Sequence, residues 1–255
     1  MKLTTLLDKL TSQLQQNQKV LQSSFWCLPV HTIQVSYKPV LSRQMDILMK
    51  MLLITTQKAP FLNASTISDV LLVEELFIQD LLTKMEKMNL IERNEQGYQI
   101  TEKGKTQLAS GIYEEDQEAT SVELLYSPNH EFFLAGDLEE VLEYEDFPET
   151  IYRYNTQGEK PTISEQVLLK EIQTFNMDDE ENDHPDTIHI TSIDEIEFQQ
   201  INDIPCIEII LFDEKTDSIS NRVWNTLLNK WDHDLENEIT EKEGSTWKEK
   251  LLNQK

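Results

Sequence analysis

The apolar positions along this chain change period several times, and each change marks an element. Leu3, Leu7, Leu10, Leu14 and Leu21 keep helical spacing, which predicts an amphipathic helix over residues 3–22, interrupted at Asn17. The stretch SSFWCLPVHTIQVSYKPVL then alternates, with Val35 and Tyr37 to one side, and reads as a strand bounded by Pro29 and Pro39. Gln44 to Thr55 is apolar around most of its circumference (Met45, Ile47, Leu48, Met51, Leu52, Ile54), the mark of a helix buried on several sides. Past Pro60, Asn63 or Ser65 caps a short helix whose inner face is Ile67, Val70 and Leu71. A second helix runs to Met88 with Phe77 or Ile78, Leu81, Leu82 and Met85 inward. Leu90-Ile91 opens a strand, Gly97 supplies a tight turn, Tyr98 to Thr101 returns, and Thr101 caps a closing helix.

Beyond Ser110 the pattern is more strand-like. Two apolar runs flank Ser127-Pro128-Asn129-His130, a hairpin turn, and TISEQVLLKEIQTF reads as a short helix capped by Thr162 or Ser164. The run MDDEENDHPD, residues 177–186, holds six acids in ten and reads as a linker. Two strands follow, DTIHITSIDEIEF and IPCIEIILFD. A long helix from Ser218 to about Ile239 is expected last, with the stripe Trp224, Leu227, Leu228, Trp231 and Leu235.

From about Leu41 to Gly111, three helices, a two-stranded ribbon and a closing helix resemble the winged helix-turn-helix superfamily. The residues that carry the likeness are the Ile67/Val70 face, the Ile78-Leu81-Leu82-Met85 face, the exit NLIER, and GYQITEKGKTQL, which is similar to a Y-x-L-T-x-x-G ending. The resemblance implies a fold used for DNA binding, dimerisation and protein docking alike. The expected class is therefore α+β: an N-terminal winged helix-turn-helix followed by an acidic mixed α/β C-terminal region. Its expected segments are a helix and strand (1–40), the winged-helix domain (41–112), an α+β segment (113–176), the acidic linker (177–186) and a strand-helix domain (187–255).

Charge divides the chain in two. The formal net charge is −25, yet residues 1–112 hold 12 Lys and Arg against 10 Asp and Glu, while residues 113–255 hold 10 against 37. Such a field repels nucleic acid and anionic membrane and favours a partner with a basic surface or divalent cations. Cys27 and Cys206 leave one disulfide between them open but imply no disulfide framework, and they read first as buried free thiols of a reducing compartment. With no uninterrupted apolar span and no signal-like leader, a cytoplasmic location is expected.

In winged helices that read DNA, the second helix of the pair enters the major groove, and cations meet phosphates. Here its leading edge carries Glu74 and Glu75, followed by Gln79, and the ribbon turn carries Glu95; Lys84, Lys87 and Arg93 are the nearby cations, with Arg43, Lys50 and Lys58 on the first helix and its exit. Two acids suit the positive end of a helix and repel a phosphate. Glu74, Glu75, Gln79, Lys84, Arg93 and Glu95 form the candidate surface, facing a protein partner or, with weak contact, nucleic acid.

Other chemistry finds little footing. Gly104-Lys105-Thr106 has the tail of a phosphate loop, but Gln99 stands where a glycine is needed. His184-Pro185-Asp186 lacks the flanking helix pair that a J-domain gives this tripeptide. His31, His130, His184, His189 and His233 share no ligand spacing with one another or with the cysteines, and WDHD at 231–234 reads as a solvated helix face. Asp203, an apolar strand and Asp213-Glu214-Lys215 are similar to the loose PD-(D/E)xK nuclease signature. That likeness implies Asp203 and Asp213 as Mg²⁺ ligands and Lys215 as activator of water.

Neither a catalytic residue, a metal nor a cofactor is therefore expected. The expected role is a non-enzymatic accessory or regulatory subunit, docking through its winged helix and acidic body in a bacterial DNA-associated assembly. The alternatives are a winged-helix transcription regulator, dimeric through residues 3–22, and the Mg²⁺-dependent nuclease.

Overall fold

Eight consecutive buried residues, Ile204 to Leu211, organise much of the chain. They belong to β7 (Thr187–Asp213), and successive side chains of a strand point to opposite faces. Ile207, Ile209 and Leu211 pack against Leu3, Leu6 and Leu10 of α1 (Leu3–Ser12). Ile204, Cys206 and Ile210 join the opposite core. There they meet Trp26, Leu28 and Val30 of β1 (Gln18–Gln44), Val223 of β8 (Ser218–Asn225), and Leu235 and Ile239 of α8 (His233–Glu243). Burying one such Ile stabilises the fold by about 1.5–3 kcal/mol.

The structure, a computed structural model, describes residues 1–15, 17–58, 61–155, 161–178, 187–248 and 250. It is mixed α+β, and the chain divides into two compact units built from discontinuous stretches. One unit comprises residues 1–35, 122–163 and 196–255; the other comprises 36–121 and 164–195. β1 and β7 contribute to both, so β1 runs through residues 40 and 41 without a break. The acidic stretch 179–186, with His184-Pro185-Asp186, lies outside the described residues.

In the first unit the strand order is β6 (Phe132–Phe133), β5 (Thr120–Ser127), β1, β7, β8 and β9 (Lys230–Trp231). α6 (Leu138–Leu142) follows β6. The expected turn at Ser127-Pro128-Asn129-His130 is present, pairing Tyr126 with Phe133. Cys27 and Cys206 are buried free thiols, and burial with the nearby Asp203 carboxylate pushes Cys27 up to about 12.

Several expectations fail here for physical reasons. Residues 3–22 are not one helix: α1 ends at Ser12, and Leu21 lies in β1. The apolar face of α1 is occupied by β7 of its own chain, the face through which a dimer coil over 3–22 would have had to pair. Pro29 and Pro39 do not bound a strand. Proline lacks only the donor, and Pro39 O still accepts from Gln117 N. Residues 218–239 are not one helix either: only the end, from His233, is helical. Trp224 and Trp231, seven apart, pair across β8 and β9, their rings edge-to-face at 5.2 Å.

The second unit contains α2 (Ile47–Lys58), α3 (Ala64–Leu71), α4 (Glu75–Lys87), the ribbon β2 (Ile91–Asn94) and β3 (Gly97–Ile100), and α5 (Glu102–Ser110). β4 (Ile112–Asp116) pairs with Val40–Gln44 of β1, and α7 (Glu165–Asp178) buries Leu168 and Ile172. The core is Met49, Leu52, Leu53, Ile67, Ile78, Leu82, Met85, Leu90 and Tyr98, with Phe61 bridged to Tyr98. Asn63 caps α3 by accepting from Thr66 N at 3.1 Å, and Thr101 caps α5 by accepting from Gly104 N at 2.9 Å. At Gly97 φ is +114° and a Cβ would meet Phe61 O at 2.2 Å, so only glycine closes this ribbon. Val70, expected inside, is exposed, and of Phe77 and Ile78 only Ile78 faces the core.

One acid interrupts the buried run. Glu208 accepts from Arg153 Nη1 and Nη2 at 2.7 and 3.0 Å and from Trp26 Nε1 at 2.8 Å. Burial opposes the Arg153 charge, but hydrogen bonds to Glu208 and Glu243 hold its pKa above the ordinary value. Arg153→Met leaves a buried carboxylate uncompensated and is expected to cost about 3 kcal/mol in urea unfolding. Adding Glu208→Leu removes that charge and is expected to restore most of the loss.

Candidate functional site

α4 begins directly after a tight turn that ends α3. Leu72 takes a left-handed φ of 55° after α3, Ser68 Oγ donates to Val73 O at 2.6 Å, and Glu74 O accepts from Ile78 N. This fixes a three-residue turn, Leu72 to Glu74, between the two helices. Glu74 is the N-cap residue and Glu75 the first helical residue, both exposed, with Gln79 one turn on. Carboxylates at this end oppose the positive helix pole, which explains them without any ligand.

The remaining candidates lie elsewhere in the same unit. Lys84, in the last turn of α4, holds Glu115 at 3.2 Å and lies 5.5 Å over the Tyr113 ring. Arg93 on β2 lies 5.4 Å over the Tyr98 ring, and Glu95 is exposed in the ribbon turn. Thus Glu74, Glu75 and Gln79 share one edge, while both cations already have intramolecular partners. A phosphate would have to compete with Glu115 for Lys84.

Sequence reasoning missed the apolar part of this edge. Val70, Leu72, Leu76 and Phe77 are all more than half exposed. The signal was present in DVLLVEELF, which carries more large apolar residues than two short helices can turn inward.

The nuclease-like residues do not converge. Asp203 and Asp213 are ten positions apart on one strand, roughly 33 Å at the usual rise, too far to share an ion. Asp213 instead builds the β7–β8 turn, accepting from Lys215 N at 2.8 Å, Thr216 N at 3.2 Å and Asn17 Nδ2 at 2.8 Å. The Asn17 and Lys215 hydrogen bonds hold its carboxyl below the usual range. Gly104 of the phosphate-loop-like tail lies inside α5, where a Cβ would strike Leu90 O at 2.1 Å; its glycine serves packing.

The structure also assembles a constellation that the sequence separates by 102 residues. His130 Nδ1 lies 2.7 Å from Ser127 Oγ, and its Nε2 lies 3.0 Å from both Asp232 carboxylate oxygens. Of WDHD, His233 and Asp234 are exposed at the start of α8, but Asp232 is buried and caps that helix, accepting from Leu235 N at 3.3 Å and from Asn225 Nδ2 at 2.8 Å. Ser127 is 0% exposed, so its hydroxyl reaches no substrate and the three residues make no hydrolytic triad. His130, Asp232 and the exposed Asp234 place donor atoms within 4.8 Å of one another beside a cleft of about 560 Å³. The hydrogen bonds already engage both His130 nitrogens and both Asp232 oxygens, which makes the cluster a strut. Neither Ser127-x-x-His130 nor Asp232 carries spacing that announces the pairing.

No protein-family model matches the chain, and neither does any curated protein or solved structure.

Burial raises the Asp232 carboxyl, but the His130 and Asn225 hydrogen bonds outweigh it and hold the pKa below the usual carboxylate range. A depressed native pKa gives stability that is complete above the unfolded value of about 3.9 and is lost as pH falls through the native one. Asp232→Asn is expected to lose about 2–3 kcal/mol in urea unfolding at pH 7. The gap between variant and wild type is expected to narrow below about pH 4.

Proposed function

We propose that the chain is a non-enzymatic accessory or regulatory subunit, cytoplasmic, that docks a protein partner through a winged-helix module within a DNA-associated assembly. Support for the module comes from the order α2, α3, α4, β2, β3, α5, from the Asn63 and Thr101 caps, and from the Phe61–Tyr98 bridge, which ties the segment before α3 to the ribbon. The observation that carries the docking reading is electrostatic. No Lys, Arg or His occurs from residue 59 to residue 83, where a DNA reader needs cations, while Glu74 and Glu75 occupy the leading edge of α4. The acidic body, at 10 Lys and Arg against 37 Asp and Glu over residues 113–255, adds a field that attracts a basic partner and repels phosphate. Among the described residues no helix is long and apolar enough to cross a membrane.

Titrating labelled genomic and random duplexes in about 50 and 200 mM salt tests the reading, since phosphate contacts make affinity fall steeply with salt. No saturable binding at micromolar protein is expected in either salt, whereas tight, salt-dependent capture of an operator would overturn the proposal. A protein retained from the native host is expected to be released by Glu74→Lys/Glu75→Lys; retention that ignores this reversal would place docking elsewhere.

A further inference from the structure

The turn between α3 and α4 exposes more apolar surface than a solvated corner requires. Within eight residues, Val70 is 71%, Leu72 91%, Leu76 71% and Phe77 56% exposed. Scattered single apolar residues are ordinary on a surface; four large ones at one turn mark an interaction site. Asp69, Glu74, Glu75 and Asp80 alternate with them, all exposed, and among the described residues none of these carboxylates has an ion-pair partner. This cation-free stretch contrasts with the opposite end of α4, where Lys84 meets Glu115.

Resting on the docking reading above, we infer that this turn receives a cationic amphipathic helix from a protein partner. Its apolar side chains lie against Val70, Leu72, Leu76 and Phe77, and its Lys or Arg residues meet Asp69, Glu74, Glu75 and Asp80. Charge selects this occupant. A second copy of the chain would bring the same four acids to a self-complementary contact and a net charge of −25 with them. Nucleic acid and anionic lipid are repelled by the same carboxylates. A neutral apolar peptide would cover the anchors but leave four anions at the rim without counter-charge. Anchors at the end of one helix and the first turn of the next suit a ligand that repeats apolar residues at i, i+3, i+4 and i+7.

The test uses the full chain and a labelled synthetic helix of about 18 Leu and Lys residues with Leu in that pattern, against a peptide of identical composition with Leu scattered. In fluorescence anisotropy at near-physiological salt the patterned peptide is expected to bind in the micromolar range, and the scattered one about tenfold or more weaker. Leu76→Ala/Phe77→Ala and Glu74→Lys/Glu75→Lys are each expected to weaken it about tenfold or more, with unchanged circular dichroism because all four residues are exposed. Glu123→Lys/Glu241→Lys, reversing exposed acids of the other unit, is expected to change affinity less than about twofold. Absence of saturable binding by about 100 µM peptide overturns the inference. So does an equal loss in the Glu123/Glu241 pair, which would reduce the interaction to bulk charge. If the peptide fails while Glu74→Lys/Glu75→Lys still releases the host protein, the occupant is wrong and docking stands. If the host protein ignores that reversal, the docking reading itself falls.

Discussion

A strand buried on both faces has no solvent side on which to set a charge. β7 meets that constraint from Ile204 to Leu211, with α1 against one face and α8 with the β1 side chains against the other. The cost of the single acid in this run is met by Arg153, held in a two-pronged contact from a segment far from β7 in sequence. Tyr152 and Tyr154 on either side of Arg153 donate to Glu238 and Glu243 of α8. The same short segment thus ties the helix to the strand it covers. Apolar burial supplies the stability here, and Arg153 offsets the cost of the buried Glu208 carboxylate.

Helices and caps of the second unit were legible because their signals are local. Asn63, Thr101 and Gly97 each act within a few residues, as acceptors or as a turn that needs positive φ. The wrong reading of residues 218–239 shows where local signals stop. Trp224 and Trp231 fall at a helical interval, but the interval spans a four-residue loop between paired strands. Asn225 accepts from Leu227 N and Leu228 N, and Asp232 accepts from Leu235 N. Each side chain thus offers the backbone a partner that a continuous helix would have supplied itself, and α8 starts only at His233. The candidate surface was legible in its charges, Glu74 and Glu75, and not in its apolar residues. Periodicity assigns an apolar residue to an inner face without asking whether that face has room, and Val70 was misplaced for that reason.

The buried polar residues of the first unit follow the same logic of a fixed partner for every group. Asp232 serves at once as N-cap of α8, acceptor for Asn225 and counterpart of His130. A carboxylate with three roles of this kind is held ionised by its neighbours, and no substrate is needed to explain it. Proximity of serine, histidine and aspartate is therefore a poor guide to catalysis when the hydroxyl has no path to solvent.

Exposed apolar side chains and strong negative charge are usually treated as opposing features of a surface. At the α3–α4 turn they act together. An uncharged protein displaying Val70, Leu72, Leu76 and Phe77 would pair with its own copies through the most accessible apolar contact. Here each copy also carries Asp69, Glu74, Glu75 and Asp80 at that contact, so self-pairing brings like charges into a region from which water is being removed. The acids thus suppress the homotypic contact that the apolar residues favour. They leave those residues available to a surface of the opposite sign, which is how repulsion at one interface becomes selectivity at another.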